Sequence, residues 1–253
     1  AMKEAKAQIA AISKKYQATK GAGLCFLGAP VSSPTQQKVQ AAAAKALPEA
    51  KWFNWEAINN DSSVAALNAY LGVNNCDSQV LYDLEKAATV VTLDSDFMMN
   101  EFNSLQMLQG YGESRRVYRN SAKNGSKYEK EMTNRFYAVE GAFTLTGSNA
   151  DHRLRLQSAK IVDFAFALAK KIAKGSSLNA EVVKTIEAFS SKETFGRLNK
   201  DVKGDKFLDE VAKELLANVK AGKKSAIIVG ERQPKEVHLL ALVLNAALGN
   251  FGS

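Results

Sequence analysis

The sequence is poor in the residues that build metal and redox sites. Its 253 residues include only two cysteines, Cys25 and Cys76, and two histidines, His152 and His238. Neither cysteine belongs to a CxxC pair, so a four-thiolate zinc or iron–sulfur site cannot be built from these residues. A histidine-rich metal centre is excluded for the same reason. We therefore expect no metal ion and no redox cluster within this stretch of chain.

The glycine motifs that hold nucleotide phosphates are also missing. A dinucleotide-binding fold has a GxGxxG run directly after its first strand, where the backbone approaches the pyrophosphate. Here Gly21-Ala22-Gly23 precedes the first apolar run, at 24–27, and a third glycine at the required spacing is absent. A GxxxxGK[ST] run does not occur either. The sequence thus lacks both common phosphate-binding fingerprints.

Long apolar runs are absent as well. No stretch approaches the roughly 18 uninterrupted apolar residues of a membrane-spanning helix. The first residues, AMKEAKAQIAAISKKY, lack the apolar core of a secretory leader. Ala1-Met2 resembles a cloning remnant, so we expect the native chain to be longer. Apolar residues make up 46% of the sequence and charged residues 24%, which is typical of a globular domain.

The chain is basic, with 34 lysines and arginines against 26 acidic residues. Such an excess favours acidic partners, membrane surfaces or nucleic acid. The basic residues are densest between 115 and 130, but glutamates are interleaved with them, and the aromatic residues there are Tyr118 and Tyr128. We interpret this segment as a solvated face or loop. Nucleic-acid binding is the weaker alternative, and we expect no nucleic-acid partner.

Strands and helices are predicted to alternate along the chain. Short apolar runs predict six strands, at 23–27, 51–55, 89–93, 135–139, 153–156 and 225–229. Helices are predicted between them, among them 97–109, 159–174, 179–189 and 207–220. Residues 110–134 are polar and basic and contain three glycines, so we expect a mobile, irregular excursion there. The alternation predicts an α/β fold with one mostly parallel sheet of about six strands and helices on both faces.

Ligands of open α/β sheets bind beyond the carboxyl ends of the strands. The residues at those ends are Gly28, Asp94 with Asp96, Glu140 and Gly230. Asp94 and Asp96 form the sharpest acidic pair. Two interpretations are open for them: a Mg²⁺ or ribose-hydroxyl site, or capping of the helix predicted at 97–109, which we favour.

The histidines and the first cysteine have ordinary structural interpretations. His152 follows Asp151, but neighbouring residues of a strand face opposite ways, so we favour a structural histidine over a catalytic base. His238 opens the last predicted helix and is interpreted as a capping or surface residue. Cys25 lies in an apolar strand and is interpreted as a small buried hydrophobe. The residues alone reveal no catalytic constellation, although a Ser/His/Asp triad stays open.

Several segments together resemble one enzyme superfamily. Residues 135–154 (RFYAVEGAFTLTGSNADHRL) resemble the strand–turn–strand signature of the molybdopterin oxidoreductases. Residues 90–97 (VVTLDSDF), 227–250 (IIVGERQPKEVH, running on to NAALGN) and 28–35 (GAPVSSPT) are most similar to a divergent branch of that superfamily. That branch is the large iron–sulfur subunit of alternative complex III, a bacterial quinol:cytochrome c oxidoreductase. The matches lie in the right order across residues 22–252.

The resemblance implies a Rossmann-like three-layer α/β domain over residues 22–253, preceded by an N-terminal helix over 1–21. It implies one piece of a larger exported subunit at the periplasmic face of the bacterial inner membrane. Iron–sulfur clusters would lie elsewhere in that subunit, and its partners would be cytochrome c-type and membrane-integral subunits. In this branch the domain is a scaffold without pterin or metal. The resemblance thus implies that this fragment has no catalytic residues and that Gly28, Asp94, Asp96, Glu140 and Gly230 are relic positions.

The departures from true molybdenum enzymes point the same way. Those enzymes have Gly-x-Asn-Pro after the third strand, where this chain has residues 94–97 (DSDF), and Asp-Pro-Arg after the fourth, where it has residues 140–142 (EGA). Carboxylates and small groups thus replace an amide and a cation, and carboxylates repel the pyrophosphate of a pterin cofactor. The alternative is a working molybdopterin- or nucleotide-binding domain of a molybdenum oxidoreductase.

Overall fold

The computed structural model divides the chain into two compact units, residues 1–59 and 60–253. The structure describes residues 1–57, 59–74, 78–116, 118–121, 125–128, 133–175, 180, 183–184, 186 and 202–252. Most of the predicted helix at 179–189 therefore lies outside the described residues, and so does Cys76.

The first unit is a helix followed by a β–α–β motif. Its elements are α1 (Met2–Gln17), β1 (Cys25–Gly28), α2 (Pro34–Ala46) and β2 (Lys51–Asn54). The two strands are parallel, and the rings of Phe26 and Trp52, which are paired across them, stack at 4.0 Å. Gly21 lies before β1 at φ +90°, and a Cβ atom there would be 2.9 Å from that of Leu47.

The burial expected for Cys25 is wrong, because this cysteine is exposed in β1. The physical reason is the size of the sheet. A sheet of two strands covers little of its own surface, and exposed residues also include Leu27 and Phe53 on these strands. An apolar run predicts a strand, but its burial depends on what packs against it.

The second unit contains most of the regular structure. Its helices and strands, in chain order, are α3 (Asp61–Leu71), β3 (Ala87–Leu93), α4 (Ser104–Arg115), β4 (Tyr118–Ser121), β5 (Gly125–Tyr128), β6 (Arg135–Glu140), α5 (Leu145–Ser148), β7 (His152–Arg155), a 3₁₀ turn (Ser158–Lys160), α6 (Ile161–Gly175), α7 (Val202–Lys220), β8 (Lys224–Val229) and α8 (Lys235–Ala247). Strands β4 and β5 form an antiparallel pair of their own. Among the described residues, no helix is long and apolar enough to cross a bilayer.

The main sheet has four parallel strands in the order β7-β6-β3-β8. Central strand β3 aligns Val91 with Tyr137 of β6 and with Ile227 of β8. The predicted α/β class with parallel strands is thus confirmed. The prediction of a single sheet of about six strands is wrong, because β1 and β2 pair with each other in a separate sheet. Apolar runs predict strands from local sequence, whereas pairing depends on residues far apart in the chain.

Apolar side chains are buried on both faces of the main sheet. On one face, Val91, Leu93 and Val139 pack with the apolar sides of α6, α7 and α8. On the other face, Val90 packs with three aromatic rings, Phe97, Tyr111 and Phe136, whose centroids are 5.5 to 5.9 Å apart. This burial on both faces explains why β3 reads as a continuous apolar run rather than an alternating one.

The segment after β3 differs from its prediction in two places. The helix expected at 97–109 begins only at Ser104, after Asn103 at φ +63°, and continues to Arg115. Part of the excursion predicted at 110–134 is therefore helical, and residues 118–121 and 125–128 form the hairpin β4–β5. Gly110 does not break the helix; it lets α4 approach Leu84–Glu85, where a Cβ would be 3.1 Å from the Glu85 amide nitrogen.

Two asparagines close the outer edge of β8. The side chain of Asn245 donates to the carbonyl oxygen of Ile227 at 2.9 Å and accepts from the Ile227 amide at 3.1 Å. Asn250 accepts from the Ser225 amide at 3.0 Å and donates to Asn245. These amides replace a neighbouring strand, which protects the edge from pairing with another chain. The asparagines of the 245–250 segment thus have a structural role at the sheet edge.

Candidate functional site

The turns after β3, β6 and β8 meet at the carboxyl edge of the main sheet. The Asp94 amide donates to the Val139 carbonyl at 2.7 Å, and the Gly230 amide donates to the Leu93 carbonyl at 2.9 Å. A Cβ atom on Gly230 would be 2.0 Å from the Asp94 carbonyl oxygen, so this approach requires glycine. Gly28 is the last residue of β1 and belongs to the first unit. The structure therefore places Asp94, Asp96, Glu140 and Gly230 at one edge.

The carboxylate of Asp94 joins the ends of four strands. Asp94 itself follows β3 at φ +56°, a backbone conformation that residues other than glycine rarely adopt. Its Oδ1 accepts from the Gly141 amide, after β6, at 3.2 Å. Its Oδ2 accepts from the Ser158 hydroxyl, after β7, and from Gln233 Nε2, after β8, the latter at 2.8 Å. Asp94 thus has protein donors on both oxygens.

Asp96 holds the turn that follows β6. Its Oδ1 accepts from the Thr146 hydroxyl at 2.6 Å and from the Thr146 amide at 3.2 Å, and its Oδ2 accepts from Asn100 Nδ2 at 3.0 Å. The capping role predicted at the start of a helix at 97 is wrong, because α4 begins seven residues later, at Ser104. The amide that Asp96 binds lies instead in the short helix α5.

Glu140 is the buried carboxylate of the edge, with 2% of its surface exposed. Its Oε1 accepts from Arg153 Nε at 2.5 Å, and its Oε2 accepts from the Thr144 hydroxyl at 2.5 Å. Gly147 lies directly against it, since a Cβ there would be 1.8 Å from Oε1. The glutamate, threonine, glycine and arginine of residues 135–154 therefore build one ion-paired turn.

Asp151 and His152, which belong to the same segment, lie at the amino end of β7. The carboxylate of Asp151 accepts hydrogen bonds from both terminal nitrogens of Arg115, at 2.7 and 2.8 Å, and from the Phe136 amide. The Arg115 hydrogen bonds lower the pKa of Asp151. His152 is exposed, and its ring stacks on that of Tyr137 at 4.9 Å. Asp151 and His152 thus have separate partners, as the alternation of strand residues predicts.

A second pair of carboxylates, missed in the sequence, links the turns after β3 and β8. Glu101 accepts from the amides of Asp96 and Glu231, at 3.3 and 3.2 Å, and Glu231 accepts from the Phe102 amide at 2.8 Å. Burial, followed by the charge of Glu231, raises the pKa of Glu101 to about 7. Glu231 follows Gly230 at a strand end that the sequence indicates, whereas Glu101 lies in a turn and has no local signal in the sequence.

A cavity of about 100 Å³ lies beside this pair. Helix α3 and helix α8 contribute to its wall, and its polar lining includes Tyr82, Ser95, Glu101, Glu231 and His238. His238 is 8% exposed, so the expected surface position is wrong. The alternative of a capping residue is wrong as well, because α8 begins at Lys235 and its N-cap is Pro234. Burial lowers the pKa of His238 to about 4, so the ring is neutral at pH 7.

Comparisons with known proteins add no relative. No protein-family model matches this chain, and no curated protein matches it. Within the described ranges, no group of three or more histidine, cysteine, aspartate and glutamate side chains could hold a metal ion.

Proposed function

We propose that this chain is a cofactor-free scaffold domain of a respiratory oxidoreductase. The specific form of the proposal is a Rossmann-like, molybdopterin-oxidoreductase-like region of the iron–sulfur subunit of a quinol:cytochrome c oxidoreductase. Electron transfer is then the work of iron–sulfur clusters elsewhere in that subunit. The partners are cytochrome c-type and membrane-integral subunits at the periplasmic face of the inner membrane.

The main support for the proposal is that the strand-end carboxylates are already hydrogen-bonded within the protein. Asp94, Asp96 and Glu140 are hydrogen-bonded to the protein's own donors. In a dinucleotide or pterin site, donors at this edge bind phosphate oxygens. Here a phosphate would meet carboxylates, and two unit charges 4 Å apart interact by roughly 4 kcal/mol at an effective dielectric constant of about 20. The arrangement therefore favours a closed structural edge.

The volume of the cavity favours the same conclusion. Pockets for drug-sized ligands and cofactors are usually about 300–1,000 Å³. The cavity beside Glu101 is about 100 Å³, which is too small for a pterin or a dinucleotide. A working cofactor domain, the alternative function, would need a larger opening at this edge.

Exposed apolar side chains on two of the edge turns suit a domain that contacts other subunits. Met99 and Leu105 are 67% and 82% exposed on the segment after β3, and Phe143 is 73% exposed after β6. The two turns are joined by a hydrogen bond from the Met98 amide to the Thr146 hydroxyl. A contiguous exposed apolar surface is typical of interaction sites, so we propose that these three side chains contact other subunits.

The experiment is purification of the tagged chain from membranes of its native host, followed by metal and haem analysis. We expect iron to accompany the chain only together with the rest of the iron–sulfur subunit, and haem only together with the cytochrome c-type partners, with molybdenum absent throughout. Leu105→Glu and Phe143→Glu should reduce recovery of the partners, whereas Val39→Glu, an equally polar change at a residue 64% exposed in the first unit, should not. Stoichiometric molybdenum or pterin on the isolated chain would contradict the proposal.

A further inference from the structure

Helix α1 has an apolar stripe that the described parts of the chain leave largely exposed. The stripe consists of Ala5, Ile9, Ile12 and Tyr16, which recur every three or four residues and lie within about 60° of one another around the helix axis. Ile9 is 66% exposed and Ile12 is 47% exposed, and no residue of α1 is buried by the residues that the structure describes. Two isoleucines on one face leave apolar area in water, so we expect this face to bind a partner.

The rest of α1 is basic. Lys6 and Lys15 lie on either side of the stripe, and Lys3 and Lys14 lie on the opposite face, whereas the one acidic residue of the helix is Glu4. The ammonium group of Lys15 lies 5.2 Å from the centre of the Tyr16 ring, which places a positive charge at the border of the stripe. The partner of this helix therefore has to offer apolar and negatively charged groups side by side.

A second copy of the chain fits this face poorly. The spacing of the stripe is that of a coiled-coil seam, but residues 5–16 cover less than two heptads, whereas a coiled coil needs about three to four. Two copies would also bring their lysines together, and like charges repel. Nucleic acid has the opposite charge, but it binds basic segments mainly through its phosphates, which leaves the isoleucines in water. A membrane with anionic lipids supplies both the charge and the apolar medium.

We propose that α1 binds the surface of a membrane that contains anionic lipids. The helix lies in the plane of the headgroups, with Ile9 and Ile12 towards the acyl chains and with Lys6 and Lys15 beside the lipid phosphates. Amphipathic helices that are rich in lysine bind membranes in this way. Tyr16 suits the boundary, because its ring is apolar and its hydroxyl is polar. This docking surface is independent of the proposed scaffold function.

The test is co-flotation of the full chain with two kinds of vesicle, phosphatidylcholine alone and phosphatidylcholine with about one third phosphatidylglycerol. Each lysine near an anionic surface strengthens binding by about fivefold. Because α1 has four lysines and one glutamate, we expect the anionic vesicles to bind at least about tenfold more tightly. The difference should shrink as salt rises from about 0.05 M to about 0.5 M. Equal binding to the two kinds of vesicle, or binding to neither, would overturn the proposal.

Apolar variants test the stripe itself. Ile9→Gln combined with Ile12→Gln keeps the charges of the helix, so a loss of binding to anionic vesicles of at least about tenfold reports the apolar contact. Val39→Gln is the matched control, because this valine is 64% exposed on α2 in the same unit, and it should leave binding unchanged. Since the three side chains are exposed, all variants should keep the circular dichroism spectrum and the Tm of the wild type.

Charge variants test the lysines beside the stripe. Lys6→Gln combined with Lys15→Gln should weaken binding to anionic vesicles by about tenfold or more, whereas Lys38→Gln combined with Lys45→Gln, the same loss of charge on α2, should weaken it by less than about threefold. Binding that the double isoleucine variant leaves unchanged would overturn the proposal. So would a dimer in analytical ultracentrifugation that the same variant dissociates, because the stripe would then belong to an interface between copies.

Discussion

The ion pair between Glu140 and Arg153 should be the most costly of the strand-end contacts to break. The carboxylate side chain is 3% exposed and the guanidinium 23% exposed. Arg153→Met keeps the volume of the side chain but removes its charge and its two hydrogen bonds, to Glu140 and to the Ala142 carbonyl. Removing one partner of a buried pair usually costs about 3–5 kcal/mol. Thr144 still donates to Glu140, so we expect the lower end, about 3 kcal/mol.

The assay is thermal and urea unfolding followed by far-ultraviolet circular dichroism. Tryptophan fluorescence is unsuitable, because Trp52 and Trp55 lie in the first unit. For a unit of this size, about 3 kcal/mol corresponds to a fall in Tm of roughly 6–12 °C. Arg135→Met is the matched control, because Arg135 is 49% exposed in its pair with Glu214 and should lose at most about 1 kcal/mol. Equal losses in the two variants would refute the view that Glu140 is a buried, paired charge.

Three further predictions concern other contacts of the second unit. Gly147→Ala should lower the free energy of unfolding by about 1–3 kcal/mol, because the new Cβ would overlap Glu140. Gly112→Ala should raise the free energy of unfolding by up to about 1 kcal/mol, because its Cβ would meet open space. If urea titrations gave the reverse order of stability, the packing around Gly147 would be contradicted. Asn245→Leu should cost about 2 kcal/mol or more and promote oligomers on size exclusion, because Ile227 loses both backbone partners at the sheet edge. The raised pKa of Glu101 means that the folded state holds a proton that the unfolded state has lost between about pH 4.5 and pH 7, so wild-type stability is reduced by this group as the pH rises. The stability of Glu101→Gln relative to wild type should therefore rise between about pH 4.5 and pH 7 and stay constant above pH 7. A difference in unfolding free energy that does not change with pH across that range would contradict the prediction.

The positions of the strands could be predicted from the sequence, but their pairing could not. Each of the six predicted runs contains a strand whose ends lie within two residues of the prediction. Apolar, β-branched runs such as 89–93 favour extended backbone through local sterics. Which strands pair depends on contacts between distant residues, so the separation of β1 and β2 from the main sheet had no local signal.

The same distinction applies to the candidate site. Parallel strands bring their carboxyl ends to one edge, so the meeting of Asp94 and Glu140 could be expected. Their partners could not, because Ser158 and Gln233 are 64 and 139 residues from Asp94. His238 showed that a histidine at the start of a helix can be buried, since α3 and the turn after β3 help to enclose it. Gly110 gave a misleading signal, because a glycine that permits close packing looks the same in a sequence as one that ends a helix.

The most direct test of the closed strand-end edge is calorimetric titration of the full chain with NAD, NADP and FAD, together with pterin fluorescence of the denatured protein. Asp94 and Asp96 each accept three hydrogen bonds from protein donors, and their charges oppose a pyrophosphate. We therefore predict no binding heat for any dinucleotide and no pterin fluorescence. Micromolar binding that Asp94→Asn or Asp96→Asn weakens would contradict the account, because it would show that these carboxylates serve a cofactor.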